Sequence, residues 1–281
     1  MVIAVRRDLS SRGARRTGDR KRRAGFLDGP ARRNPVNLAS MSQPDLVELK
    51  QQVYKDPRPA EHFARFHERT RTHRPNYMYE LVRILLSLIG WLFFRAGNRN
   101  PERVPDVGPV ILAPNHFSFL DHFFLGTPLR RKVHFMAKSQ LFKPPMEKVY
   151  SPGGVFPVRR GFADEEAFTT AVTILDRGDV MAMYAEGGRS RTGELSSKPR
   201  RGIGRLALLS GAPIVPVAII GSAHVRNWKR LQFPKVRVYY GHPFRYERIE
   251  APTRDQEQAA ADAIFAEVRA LYEAAKAGSD I

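Results

Sequence analysis

The sequence predicts an α/β protein: a largely parallel or mixed central sheet flanked by helices, preceded by an N-terminal helical segment. Two observations carry that prediction. From residue 101 onward, short apolar, β-branched or aromatic runs alternate with helix-like stretches, and Gly, Pro or charged residues punctuate the boundaries. Alternation of this kind builds strand–helix–strand units, which stack their helices on the faces of a sheet whose strands run mostly parallel.

The runs "PVILAPN" (109–115), "KVHFMAK" (132–138), "DVMAMYAEG" (179–187), "APIVPVAIIG" (212–221) and "KVRVYYG" (235–241) read as strands. "DEEAFTTAVTILDRG" (164–178) carries acids in its first turn and Gly178 as a stop, and "RGIGRLALLSG" (201–211) ends on Gly211, so both read as helices. A helix over about 254–276 closes the chain. Upstream, residues 43–100 read as helical, with a Pro-interrupted first part and a second run, "YMYELVRILLSLIGWLFFRAG". The apolar core of that run, Ile84 to Phe94, is shorter than the roughly 20 residues a bilayer-spanning helix needs. Arg83 and Arg95 bracket it and aromatics stand near both ends, a pattern that suits a helix lying in a membrane interface. The plain alternative is a helix packed on the domain. Residues 1–42 are polar, Arg-rich and rich in Gly and Pro, and are expected to be a disordered basic tail. The organisation expected is a tail over 1–42, a membrane-associating helical segment over 43–100 and an α/β domain over 101–281.

The formal charge is +19, of which about +8 falls within the first 40 residues. A basic surface draws polyanions of any class, so charge alone does not choose among nucleic acid, anionic lipid and phosphorylated metabolites. The absence of cysteine excludes disulfides, thiolate nucleophiles and an enzyme-bound thioester. The twin arginine near the start is followed by no apolar stretch, so it does not read as a secretory signal. No phosphate-binding Gly-rich loop of the nucleotide-hydrolase type occurs, and "RGIGRLA" lacks the third glycine of a dinucleotide fingerprint. His62, His67 and His73 are spaced five and six apart, which does not suit a metal site on one helix face.

"APNHFSFLDHFF" (113–124) places His116 and Asp121 five positions apart in an otherwise apolar segment. On one continuous helix that spacing would set the side chains roughly 140° apart. If the chain instead turns from strand into helix between them, Asp121 folds back onto one imidazole nitrogen, fixes the tautomer and leaves the other nitrogen free as a base. Ser118 is the obvious protein nucleophile, but it lies outside any Gly-x-Ser-x-Gly elbow, so the expected nucleophile is a hydroxyl of the substrate.

These residues carry a resemblance. "NHFSFLD" resembles the NHx4D motif of the glycerophospholipid acyltransferases, the family of bacterial 1-acylglycerol-3-phosphate acyltransferases. "GGVFPVRRG" (153–161), "YAEGGRSRTGEL" (184–195) and "APIVPVAI" (212–219) resemble the family's later blocks in order and spacing, and "MAKSQLFKPP" (136–145) resembles the segment connecting them. The resemblance implies a glycerolphosphate-acyltransferase-like fold and transfer of a fatty acyl group from acyl-CoA or an acyl carrier protein to the hydroxyl of 1-acylglycerol-3-phosphate or a related lysophospholipid. It implies His116 as general base and Asp121 as its partner, with Glu186, Gly187, Gly188 and Arg189 beside the acceptor's glycerol phosphate. The second block supplies one arginine: counting from Gly154 selects Arg160, counting from Gly153 selects Arg159. Two positions depart from the family pattern, Gly188 where threonine is usual and Ala185 where proline is usual.

The expected partners are an anionic membrane surface, the lysophospholipid and the acyl donor, with no bound cofactor or metal and no nucleic acid. The expected location is the cytoplasmic face of the cell membrane, as a peripheral or monotopic protein. Three other readings stay open at this level: a thioester-independent transacylase, a non-catalytic lipid-binding protein of the same fold, and nucleic-acid binding through the tail.

Overall fold

A computed structural model describes Leu46 and residues 56–279; the predicted tail over 1–42 lies outside the described residues. Seven strands form one sheet in the order β1-β7-β6-β2-β5-β3-β4: β1 is Gly97–Arg99, β2 Val110–Pro114, β3 Val133–Lys138, β4 Val155–Val158, β5 Val180–Ala182, β6 Ile214–Ile220 and β7 Arg237–Tyr240. Every pairing is parallel except β6 with β7.

The central strand β2 is buried over its whole length, and its side chains alternate between two cores as a pleated strand requires. Ile111 and Ala113 face a core closed by helices α5 (Glu165–Asp176), α6 (Gly202–Ser210) and α7 (Arg254–Ala277); Val110 and Leu112 face the other, where Phe94 and Phe124 pack. Covering both faces explains why these strands read as continuous apolar runs rather than alternating ones. Helix boundaries follow the local chemistry. Asp164 caps α5 by accepting from the Ala167 N–H, Gly211 ends α6 in the left-handed conformation, and Thr253 and Gln256 form a capping box at the start of α7. At Gly204 the backbones of α6 and α7 approach so closely that a Cβ would lie 2.0 Å from the Glu257 carbonyl oxygen, so this position accepts only glycine.

Helix α1 (Glu61–Thr72) clusters Phe63 and Phe66 with Phe142, with Val155 of β4 and with Tyr150 of α4 (Glu147–Tyr150), and it meets α5 through the buried His67, whose Nδ1 lies 2.9 Å from the Thr170 hydroxyl. Helix α2 (Tyr77–Phe94) is longer than its apolar centre indicates: its 18 residues make it, among the described residues, the one helix long and apolar enough to cross a membrane by length and composition. It is nonetheless tied to the domain. Phe94 meets the Phe124 ring of α3 (Asp121–Gly126) edge-on at 5.6 Å, and the Tyr79 hydroxyl accepts from the Val133 N–H of β3. Arg83, expected to snorkel toward headgroups, instead donates to the Leu129 carbonyl and pairs with Glu80, because it sits on the inward side of the helix. The outward side is a continuous stripe of exposed Leu81, Ile84, Leu85, Leu88, Trp91 and Leu92, recurring every three or four residues.

The two strands that the periodicity does not announce are the two edges of the sheet. β1 is three residues long and polar, and it places residues 97–99, read with the helical segment, in the sheet beside β7. β4 contains Pro157, which an edge strand tolerates because its outer side forms no ladder.

Candidate active site

Four adjacent parallel strands, β2, β5, β3 and β4, end on the same rim of the sheet, and each delivers a side chain or loop to it. β2 is followed by His116, β5 by Tyr184, Glu186 and Arg189, β3 ends on Lys138, and β4 is followed by Arg159 and Arg160. At the usual strand separation this row spans about 14 Å. The carboxyl ends of parallel strands are where open α/β sheets place their ligand sites.

The turn between β2 and α3 brings His116 and Asp121 together. His116 Nδ1 lies 2.9 Å from Asp121 Oδ2, and the same oxygen accepts from the Phe117 and Ser118 N–H groups at 2.7 Å each. An oxygen already serving as acceptor for two backbone donors leaves Nδ1 to carry the proton, so Nε2 presents its lone pair. Both side chains are buried, and the Tyr184 ring stacks on the imidazole at 3.9 Å with 22° between planes. Burial holds His116 below the usual histidine range; Asp121 pulls in the opposite direction, and Arg189 and Arg160 add to the lowering. A second imidazole, His122, lies 6.2 Å from His116 and is pushed down to about 4, chiefly by burial. Both rings are therefore neutral near pH 7.

The backbone of His116 is held on both sides by the loop after β5. Glu186 Oε1 accepts from its N–H at 2.8 Å, and its carbonyl accepts from the Ser190 N–H at 2.8 Å. The other Glu186 oxygen accepts from the Ser196 N–H. The resemblance puts Glu186 beside the acceptor, whereas in the structure both of its oxygens are engaged by backbone donors. Gly187 turns this loop at φ +67°, and a Cβ there would fall 2.6 Å from Arg200 Cγ. Gly187 thus serves the turn, and Gly188 follows it within the same bend.

Burial pushes Glu186 up to about 7. Between the ordinary carboxylate range and pH 7 the folded protein then holds a proton that the unfolded chain releases, so this group's contribution to stability falls as pH rises through that window. Glu186→Gln is expected to abolish that slope. Thermal melts of both proteins at pH 5.5 and 7.5 should diverge by on the order of 2 kcal/mol, with the parent losing more stability on going to the higher pH.

Arg189 and Arg160 are close enough to His116 and to Lys138 for their charge to lower the proton affinity of both, after the larger effect of burial. Lys138, Arg160 and Arg189 thus share the rim on which His116 stands. The Arg159 guanidinium lies over the Phe162 ring at 4.4 Å, and its N–H donates to Asp164.

Several residues of the site were given no role from sequence. Asn115, the first residue of the NHx4D motif, joins β2 to β6 with a reciprocal pair of bonds to the Ile219 backbone. Lys138 lies in the connecting segment but has no local mark of function. Arg226 is buried and donates to the carbonyls of Phe117, Ser190 and Arg191, tying the histidine loop to the loop after β5. Its partners are more than thirty residues away, so no spacing reveals it.

A solved structure shares this architecture. The crystal structure of the 1-acyl-sn-glycerophosphate (LPA) acyltransferase PlsC from Thermotoga maritima superposes with a TM-score of 0.55 over 75% of this chain and 88% of that one, at 20% identity, a likeness of fold. The fold is that of an α/β domain of the PlsC type. The profile of the Acyltransferase family matches residues 78–220, half of the chain, and the chain belongs to that family. Among characterised relatives, the 1-acyl-sn-glycerol-3-phosphate acyltransferase beta of Homo sapiens is 30% identical over 165 residues, 53% of this chain and 57% of that protein. The glycerol-3-phosphate acyltransferase of Pseudomonas aeruginosa is 29% identical over 151 residues, 48% of this chain. The aligned part is only 18% of the length of that relative.

Proposed function

We propose that this protein transfers a fatty acyl group from an acyl-CoA or acyl carrier protein thioester to the free hydroxyl of 1-acylglycerol-3-phosphate or a related lysophospholipid. One observation carries the proposal: a buried imidazole, oriented by a carboxylate, presents Nε2 at a rim shared with three cations. In this reading the phosphate of the acceptor rests among Arg189, Arg160 and Lys138, and its hydroxyl points at Nε2. As the hydroxyl oxygen bonds to the thioester carbonyl carbon, its proton passes to Nε2; collapse of the tetrahedral intermediate breaks the C–S bond, and the imidazolium returns the proton to the leaving thiolate. Asp121 and the face of the Tyr184 ring favour the transient imidazolium. Glu186 and Arg226 act one step back, by holding the loop that bears His116.

The exposed stripe on α2 supports a location at a membrane surface, where both amphiphilic substrates partition. A peripheral, cytoplasmic-face placement goes with this reading, and the basic surface suits anionic headgroups.

The test is acyl transfer from labelled oleoyl-CoA to a panel of lysophospholipids and to phosphate-free monoacylglycerol. Product with the phosphate-bearing acceptors supports the reading; turnover without any thioester, from diacyl phospholipid alone, replaces it with a transacylase. Arg189→Ala is expected to raise KM for the phosphate-bearing acceptor about tenfold to a hundredfold, as loss of charge-assisted hydrogen bonds predicts. KM for the phosphate-free acceptor should change little, and equal effects on both would remove Arg189 from the phosphate.

A further inference from the structure

The segment after β6 forms a run of 3₁₀ turns, Ser222–Arg230, that leads into a small projecting finger. Trp228 is 45% exposed and Leu231 80% exposed, with Lys229 and Arg230 between them, also exposed. Leu231 takes a left-handed backbone at φ +56°, a conformation that disfavours side chains other than those of Gly, Asn and Asp. A leucine held in a strained conformation with its side chain in water contributes nothing to the core; strain of this kind gathers at functional sites. The finger is also built rather than loose. The Leu231 N–H donates to the Trp228 carbonyl, and Asn227 Nδ2 donates to Gln232 Oε1 across its base.

The finger continues the apolar surface of α2. Two residues beyond Leu231, the Phe233 ring meets Phe93, itself exposed, at 5.2 Å and Phe94 at 5.7 Å. Arg95, at the end of α2, donates to the Phe233 carbonyl. From Ser222 to Arg237 the chain has five Lys or Arg and no acidic residue. A tryptophan and a leucine flanked by cations match the layered chemistry of a bilayer interface, with apolar side chains below the headgroups and basic ones level with the phosphates.

We propose that Trp228 and Leu231 form a second membrane contact, which inserts into an anionic bilayer surface together with the α2 stripe while Lys229 and Arg230 meet the lipid phosphates. The inference rests on the membrane location proposed above. Two anchors side by side fix orientation as well as attachment: α2 alone leaves the domain free to roll about the helix axis, whereas α2 and the finger together define a plane.

The experiment is co-sedimentation of the full chain with phosphatidylcholine vesicles and with mixed phosphatidylcholine and phosphatidylglycerol vesicles. Trp228→Ala with Leu231→Gly should lower partitioning onto both kinds of vesicle by about tenfold or more, the loss expected for two large apolar side chains. Because glycine accepts the left-handed conformation, Leu231→Gly alone should leave the thermal midpoint unchanged or higher, which separates lost docking from lost folding. Lys229→Gln with Arg230→Gln should weaken binding to the mixed vesicles alone. If the parent sediments and both double variants sediment equally well, the finger is not an anchor, although the membrane reading stands. If the parent sediments with neither kind of vesicle, both fall.

Discussion

Replacing His116 by alanine is expected to lower kcat for acyl transfer by about 10³-fold, within the range for removing a general base, while the KM of the phosphate-bearing acceptor changes only a few fold. The two parameters separate because the base and the cations come from different strands: His116 follows β2, whereas Lys138, Arg160 and Arg189 come from β3, β4 and β5. The variant also removes the ring that stacks on Tyr184 and leaves Asp121 without its imidazole, so its melting curve must be measured alongside. A folded variant that turns over as fast as the parent would end the catalytic assignment. In the parent, burial holds His116 below the usual histidine range, so activity should be full at neutral pH and fall on the acid side only at pH values below that range.

Asp121→Asn is the second large effect, with an expected loss in kcat of about 10²- to 10³-fold. The carboxylate oxygen that receives the imidazole also receives two backbone N–H groups, and an amide oxygen can keep those two bonds in place. What the amide cannot supply is the charge that stabilises the imidazolium. Asp121 raises the proton affinity of His116, so removing its charge should move the acid limb of the pH–rate profile to lower pH while the plateau drops. A lower plateau with no movement of the limb would mean that Asp121 shapes the turn and does not act on the base.

Much of the fold was legible because its central strands are buried on both faces. A strand covered on two sides must be apolar throughout, and β2, β5 and β6 each left that mark in the sequence. β1 and β4 stand at the edges, where a polar Gly97–Arg99 and a proline are permitted, and such segments are hard to distinguish from loops. The apolar stretch of α2 extends beyond the centre read from sequence, Ile84 to Phe94: Tyr79 and Arg83 interrupt the apolar run but bond to Val133 and Leu129 of the domain, and the helix continues through them.

Residue types and spacing by themselves determined the α/β class and allowed the pairing of His116 with Asp121 across a turn, because each depends on contacts local in sequence or on the period of a buried strand; the loop at 186–189 was marked by the family resemblance. Tertiary structure alone decided that both oxygens of Glu186 hold backbone N–H groups, and that Arg226, more than a hundred residues from Phe117, ties the loops of the site together. The physical reason lies in the sheet order: strands adjacent at the rim are far apart along the chain, so which cations surround the imidazole depends on how the strands pair.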